Sequence, residues 1–476
     1  MFDAHNHYQM VINGELIATE KSLPVYNPAT KAIIAQVPDC PKECLDTAVY
    51  SAKIAFKTWS KTSFDQRKAV LTKLADALEE NAEDFMALLT REQGKPRSGT
   101  EWEVFGSVAW LRAIAEQKLE DEVVDENDER SVITRYTPLG VVGAIVPWNF
   151  PILLSVWKIA PALMAGCTVV VKPSPYTPLC NLKFAEMAKD IVPPGVLNCV
   201  SGGNEQGQWL TEHQDIAKIA FTGSTATGRK VMSACSETVK RVTLELGGND
   251  PAIVLPDVDP KEVAPKLFWA AFQNNAQFCN ATKRLYIHDA VYDQVRDALV
   301  DYINNEVIVG DGAKADTTLG PIQNSMQFEK VKMYFQDCID QGQKFAVGGD
   351  IDDNADGWFV PVTLVDNPSD DSRIVTEEPF GPILPLLRWS NEEDVIARAN
   401  DTIYGLGASI WGNDAAATQR IAEQIEAGTV WINEVHQYSP AQAFGGHKQS
   451  GLGCENSLHG LMEYTNWQTI TRNKQA

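Results

Sequence analysis

The chain has 476 residues, 44% of them hydrophobic and 22% charged, which is the balance of a globular protein too long for a single hydrophobic core. Its 41 Lys and Arg residues against 63 Asp and Glu give a net charge of -22, which repels nucleic acid and anionic membrane surfaces. Neither is expected as a partner.

The opening segment, MFDAHNHYQM, lacks a basic start followed by an apolar stretch, so no secretory signal is expected and the chain reads as cytoplasmic. His5 and His7 alternate in the manner of metal ligands, but no second cluster completes a site. They read as a solvated terminus, and no metal is expected. Residues 64–92 carry apolar positions at helical spacing with charges on the opposite face, which predicts one or two amphipathic helices. Tyr136 to Trp157 is an uncharged run long enough to raise the question of a membrane span. Pro138, Pro147, Asn149 and Pro151 interrupt it, so it reads as buried strand, loop and helix start, with no membrane contact. VVGAIV (141–146), CTVVVKP (167–173), IAKIAFTG (216–223) and PAIVLP (251–256) are short β-branched runs bounded by Pro or Gly. Separated by helical segments, they predict an α/β protein with a parallel sheet covered on both faces. Helix and strand signals resume between 261 and 430 and predict a second α/β unit. The nine cysteines are scattered without CxxC pairs, which suggests neither a disulfide framework nor a zinc site.

Open α/β sheets place ligands at the carboxyl ends of their strands, so the loops there are the ones to search. They read Pro147-Trp148-Asn149-Phe150-Pro151, Lys172-Pro173-Ser174-Pro175 and Phe221-Thr222-Gly223-Ser224-Thr225. The last opens a helix with small residues whose free amides suit a phosphate, though a bland turn explains it as well. Glu245, between Leu244 and Leu246 and ahead of Gly247-Gly248, reads on its own as the exposed residue of an edge strand. EEPFGP (377–382) and FGGHKQSGLG (444–453) read on their own as loops. Cys279 lies in FQNNAQFCNATKR (272–284) with no histidine or acid beside it. That leaves two readings, a buried apolar thiol or a nucleophile whose partners come from elsewhere.

Taken together, in chain order and at these spacings, the seven motifs resemble the NAD(P)-dependent aldehyde dehydrogenase superfamily. The resemblance runs from Asn13-Gly14 and YNPAT (26–30) to Gly451 and beyond. It implies a Rossmann-like parallel-sheet cofactor domain from residues 1–117 and 139–247, and a second α/β catalytic domain over 248–463. A small β oligomerisation element, 118–138 and 464–476, goes with a homodimer or homotetramer.

By the same resemblance Cys279 is the nucleophile toward an aldehyde, Asn149 donates to the oxyanion, and Glu245 activates the water that hydrolyses the thioester. Glu455 matches a proton-relay position. Cofactor binding falls to Val146, Pro147, Trp148, Lys172, Ser174, Pro175, Gly203, Phe221, Gly223, Ser224, Leu246, Glu378 and Phe380. The cofactor implied is NAD. Proline at 175 stands where many NAD-preferring members carry a glutamate that repels a 2'-phosphate, which leaves NADP open. The substrate walls implied are Phe150, Leu153, Trp157, Phe278, Tyr438 and Phe444, with no arginine to anchor a carboxylate. They imply a medium-chain aliphatic or aromatic aldehyde. The residue types suit the chemistry: a thiolate is a strong nucleophile and a good leaving group, and a neutral amide steadies an oxyanion without protonating it. The alternatives are a CoA-acylating dehydrogenase, against which the retained Glu245 speaks, a cysteine hydrolase using a histidine base, and a silent binding relative, which would have lost one of the three catalytic residues.

Overall fold

Valine- and isoleucine-rich runs with helices between them bury both faces of a sheet, and two such sheets organise the chain. The computed structural model describes residues 8–475; His5 and His7 lie outside them. The first sheet has eight strands. Five form its parallel centre, in the spatial order Arg241–Glu245, Ile216–Thr222, Val141–Ile145, Thr168–Lys172 and Leu197–Cys199. Antiparallel strands close both sides, Gly451–Leu452 beside Arg241–Glu245, and Met10–Ile12 beside Leu197–Cys199. The strand order reverses between Val141–Ile145 and Ile216–Thr222, and a crevice opens beyond the strand ends at such a point.

The chain crosses from this sheet to the second between Glu245 and Asp250. The second sheet has seven strands, with Asp250–Val254 and Thr282–His288 at its middle, running parallel to their neighbours. Thr465–Asn473, Arg130–Pro138 and Glu122–Glu126 form a separate antiparallel sheet of three, and the strand-like pieces around Thr134 and Thr469 pair directly there.

Residues 64–92 make two helices, Phe64–Glu80 and Ala82–Gln93, joined at Asn81. The first begins in a capping box between Ser63 and Gln66, which satisfies two of the amides a helix start leaves free. The uncharged run after Tyr136 becomes a strand end, the strand Val141–Ile145, a loop, and the helix Pro151–Ala165, which is buried along its whole length. Among the described residues no helix is long and apolar enough to cross a membrane. No group of three or more His, Cys, Asp or Glu side chains there could hold a metal, and the cysteines are all free.

Candidate active site

Two spaces meet at one thiol. The larger, a cleft of about 750 Å³, lies over the carboxyl ends of the first sheet. All thirteen residues that the sequence assigned to the cofactor line it: Val146, Pro147, Trp148, Lys172, Ser174, Pro175, Gly203, Phe221, Gly223, Ser224, Leu246, Glu378 and Phe380. The smaller is an apolar chamber of about 30 Å³, little more than room for one water. Its walls include Phe150, Leu153, Trp157, Phe278, Tyr438 and Phe444, together with Glu245, Glu455 and Thr222. Cys279 lines both spaces.

The Cys279 turn is a strained piece of backbone. Asn274, Asn275 and Ala276 all have positive φ, at 53°, 55° and 58°, a conformation that asparagine tolerates and that costs an alanine about 1–2 kcal/mol. Ala276 is the one of the three that is not an asparagine. Gln277 pins the turn: its Oε1 accepts from Gln323 N at 2.8 Å, and its Nε2 donates to the carbonyls of Asn274 and Pro321. Asn149 Nδ2 donates to Gln277 O at 3.0 Å, which brings that amide beside the Cys279 turn. The Asn149 carbonyl accepts from Lys95 Nζ at 2.6 Å and Asn274 Nδ2 at 3.1 Å. Lys95 is itself buried against Glu103, whose Oε1 accepts from the first amides of the helix Pro151–Ala165. Neither Lys95 nor Glu103 was singled out from the sequence.

The glycines of ELGG allow close approaches. A Cβ on Gly247 would meet Glu378 Oε2 at 2.4 Å, and one on Gly248 would meet the Cys279 carbonyl at 2.7 Å. Ser450, from the glycine-dense segment, clamps the same loop: its carbonyl accepts from Leu246 N and its Oγ donates to Gly247 O. Asn249 Nδ2 donates to Val375 O at 2.8 Å and so ties this loop to the segment that leads into Glu378. Phe380 sits at φ 54° with its ring 5.4 Å from that of Trp148, edge to face.

Glu245 is 4% exposed, not the surface residue that the tetrapeptide suggests on its own, because Gly451–Leu452 covers what would be the edge of its strand. Neither of its carboxylate oxygens has a hydrogen-bond partner. Burial, and after it the charge of Glu455, hold its carboxyl well above the usual carboxylate range, while Lys158 opposes them. Glu455 is paired with Lys158, both of them buried, and Lys158 Nζ also donates to Thr222 Oγ1 at 2.7 Å. Lys158 went unremarked in the sequence, although a single lysine in the apolar segment PILLSVWKIAPALMA signals a buried partner.

The chamber walls pack edge to face and tilted. Phe150 and Phe278 have ring centroids 4.6 Å apart, Trp157 and Phe444 5.5 Å, and Tyr438 and Phe444 5.8 Å. His436 packs on Phe278 at 4.5 Å. Its ring nitrogens face Gln273 Oε1 and Asn280 O, and burial lowers it to about 4. It is therefore a neutral ring that donates from one nitrogen to one of these oxygens, and both nitrogens face them rather than Cys279. The thiol is partly exposed onto the two spaces, yet its surroundings push it up to about 12; burial leads, and Lys283 opposes it.

The sequence profile of the aldehyde dehydrogenase family matches residues 17–470. The chain is 40% identical over 479 residues to phenylacetaldehyde dehydrogenase of Pseudomonas fluorescens, spanning 97% of this chain and 95% of that one. It is 39% identical over 464 residues to aldehyde dehydrogenase LUC3 of a Fusarium species, spanning 97% and 98%. Aldehyde dehydrogenase from Bacillus cereus, solved as an NAD+ complex, superimposes with a TM-score of 0.96 at 37% identity, over 99% of this chain and 97% of that one. With a match of this extent over cleft, turn and chamber alike, the chain belongs to the aldehyde dehydrogenase family and is an NAD(P)-dependent oxidoreductase.

Proposed function

We propose that the protein oxidises a medium-chain aliphatic or aromatic aldehyde to the carboxylic acid through a thioester on Cys279, with NAD as the preferred cofactor. The observation that carries this reading is the place of Cys279 on the boundary between the large cleft and the apolar chamber. Only a side chain on that boundary can reach a substrate on one side and a cofactor on the other.

The cleft suits a dinucleotide. Lys172 is buried with the Pro173 carbonyl as its hydrogen-bond partner at 3.1 Å, which leaves donors for a ribose. Burial lowers it to about 8. Ser224 caps the helix Thr225–Ser236, accepting from Thr227 N, so the amides of that helix start suit a pyrophosphate. Glu378 and Phe380, beside Trp148, suit the nicotinamide riboside. Bound there, the dinucleotide supplies the acceptor for the hydride that leaves the substrate carbon. Pro175 presents no carboxylate against a 2'-phosphate, so NADP is the second cofactor.

The Cys279 thiolate adds to the aldehyde carbon, and the carbonyl electron pair moves to oxygen. The Asn149 amide and the Cys279 backbone N–H donate to that oxyanion, an arrangement worth about a hundredfold to a thousandfold in rate per donor. Once the substrate carbon has given up hydride, the acyl group remains on sulfur as a thioester. Glu245 takes a proton from the attacking water, and the thiolate departs as the acid forms. Glu455 and Lys158 lie behind Glu245 to pass its proton on. The chamber has aromatic and aliphatic walls without arginine, which favours an uncharged substrate body, and the relative named for phenylacetaldehyde supports the aromatic alternative.

We take residues 1–117 and 139–247 as the cofactor domain, 248–463 as the catalytic domain, and 118–138 with 464–476 as the oligomerisation element. Val123, Val124, Trp467 and Ile470 are exposed on the three-stranded sheet, which supports a dimer or tetramer. The protein is taken to act in the cytoplasm.

Reduction of NAD and NADP against an aldehyde panel, with and without CoA, tests the reading in wild type and Cys279→Ser. The wild type should reduce NAD with aromatic and medium-chain aldehydes in the absence of CoA. Cys279→Ser should bind cofactor and lose oxidation. Full activity in Cys279→Ser, or a strict need for CoA, would overturn it.

A further inference from the structure

One buried cation touches the nucleophile turn and has no part in the scheme above. Lys283 begins its path on the strand Thr282–His288 and is 3% exposed. Its ammonium folds back under the turn and donates to the Cys279 carbonyl at 2.6 Å, the Phe278 carbonyl at 3.1 Å and the Ala281 carbonyl at 3.3 Å. It also lies 3.5 Å from the carboxylate of Glu378. A buried ammonium is expensive unless its protons are all engaged. Here three carbonyls from one four-residue stretch engage it, and all three belong to the turn that carries the thiol.

The charges around that thiol are otherwise negative. Asp250 faces it from the start of Asp250–Val254, Glu245 from the end of Arg241–Glu245, and Glu378 from the acidic turn. Each disfavours a thiolate. The loop after Thr429–Ile432 brings the Tyr438 hydroxyl, bonded to Asn280, and the His436 ring, which is neutral. Neither offsets the carboxylates. Burial raises the Asp250 carboxyl to about 7, while Lys283 and, after it, the Gly407 N–H hold it down. Lys283 therefore stands between the thiol, the buried Asp250 and the cofactor-side Glu378.

We propose that Lys283 is a positioning residue for the reaction: its ammonium, tied to the Cys279 carbonyl, fixes the nucleophile turn and stabilises the thiolate against the three carboxylates around it. The inference rests on the reading of Cys279 as the nucleophile. A lysine that only filled space would act equally well as any neutral donor of its size. A lysine acting through its charge would not.

The test is the pH dependence of Cys279 alkylation by iodoacetamide, read by mass spectrometry on the peptide that contains it. No aldehyde is present, so turnover does not enter. Lys283→Gln keeps a donor and removes the charge. It should move the alkylation midpoint to higher pH by about one unit and slow alkylation about tenfold at a fixed pH on the rising limb, whereas Lys283→Arg should restore most of the loss. A wild-type midpoint in soluble Lys283→Gln would overturn the proposal. The Asp250→Asn protein keeps Lys283 and removes one opposing carboxylate, so the comparison does not depend on the lysine variants folding. Its midpoint should fall, and an unchanged midpoint would overturn the electrostatic link. A failed nucleophile assignment shows up separately, as turnover that survives in Cys279→Ala.

Discussion

Glu245 and Glu455 are neighbouring buried carboxylates with unequal partners: Glu455 holds the Lys158 ammonium, whereas Glu245 has no hydrogen bond at all. Burial without a donor to satisfy it favours the protonated form of Glu245. A carboxyl in that condition must give up its proton before it can accept one from water.

The consequence is a pH limb. Burial, then the charge of Glu455, raise the Glu245 carboxyl well above the usual carboxylate range. Only the deprotonated form takes a proton from water, so thioester hydrolysis should rise with pH through that raised pKa and fall about tenfold per unit below it. Lys158 opposes the shift, so Lys158→Met should move the limb to higher pH. It also breaks a buried pair, at a cost of about 3–5 kcal/mol in stability. Steady-state rate against pH, with unfolding midpoints alongside, checks both.

Asn149 is held from its backbone side by Lys95 and Asn274, which leaves its side-chain amide to face the turn. Asn149→Ala should lower kcat/KM by about a hundredfold to a thousandfold with cofactor affinity unchanged. Stopped-flow oxidation beside a cofactor-binding titration separates the two. An Asn149→Ala protein with wild-type kcat/KM would remove the residue from the oxyanion site.

Pro175 lines the cleft with Lys172 and Ser174. Pro175→Glu adds a carboxylate that repels a 2'-phosphate and accepts from a 2'-hydroxyl. The ratio of kcat/KM for NADP to that for NAD should fall by about tenfold or more, the scale of one unfavourable close charge pair. A ratio that holds or rises would place position 175 away from the ribose.

Much of this was legible in the sequence because the motifs end strands, and strand ends converge in a parallel sheet. PWNFP, KPSP and FTGST follow adjacent strands and line one cleft. ELGG was misleading on its own: nothing in the tetrapeptide says that a strand from residues 451–452 covers its edge. Lys158 was silent because its partner, Glu455, is 297 positions away. Lys283 sits four residues from Cys279, yet only the fold shows that its side chain turns back to the Cys279 carbonyl.

Glu92 supplies a test of stability. It is fully buried, accepts from the amides of Leu179 and Cys180, and is raised by burial from 4.5 to about 7. The folded carboxyl holds its proton more tightly than the unfolded one. Its contribution is therefore complete below pH 4.5 and is lost as pH rises through about 7, at about 1.4 kcal/mol per unit within that window. Glu92→Gln should flatten the fall in urea midpoint over the window, and Asp250→Asn, also raised to about 7, should flatten it further.

The central claim is a thioester on Cys279 that Glu245 clears, and Glu245→Gln isolates it. The amide keeps the size of the side chain but accepts no proton, so acylation should proceed and hydrolysis should slow by about a hundredfold to ten-thousandfold. Mixed with aldehyde and cofactor in a rapid-quench experiment, the variant should yield one equivalent of reduced cofactor per site. Acid-quenched protein should carry one acyl group on the peptide that contains Cys279. An unmodified Cys279 peptide after a full burst, or an acyl group on another residue, would contradict the account.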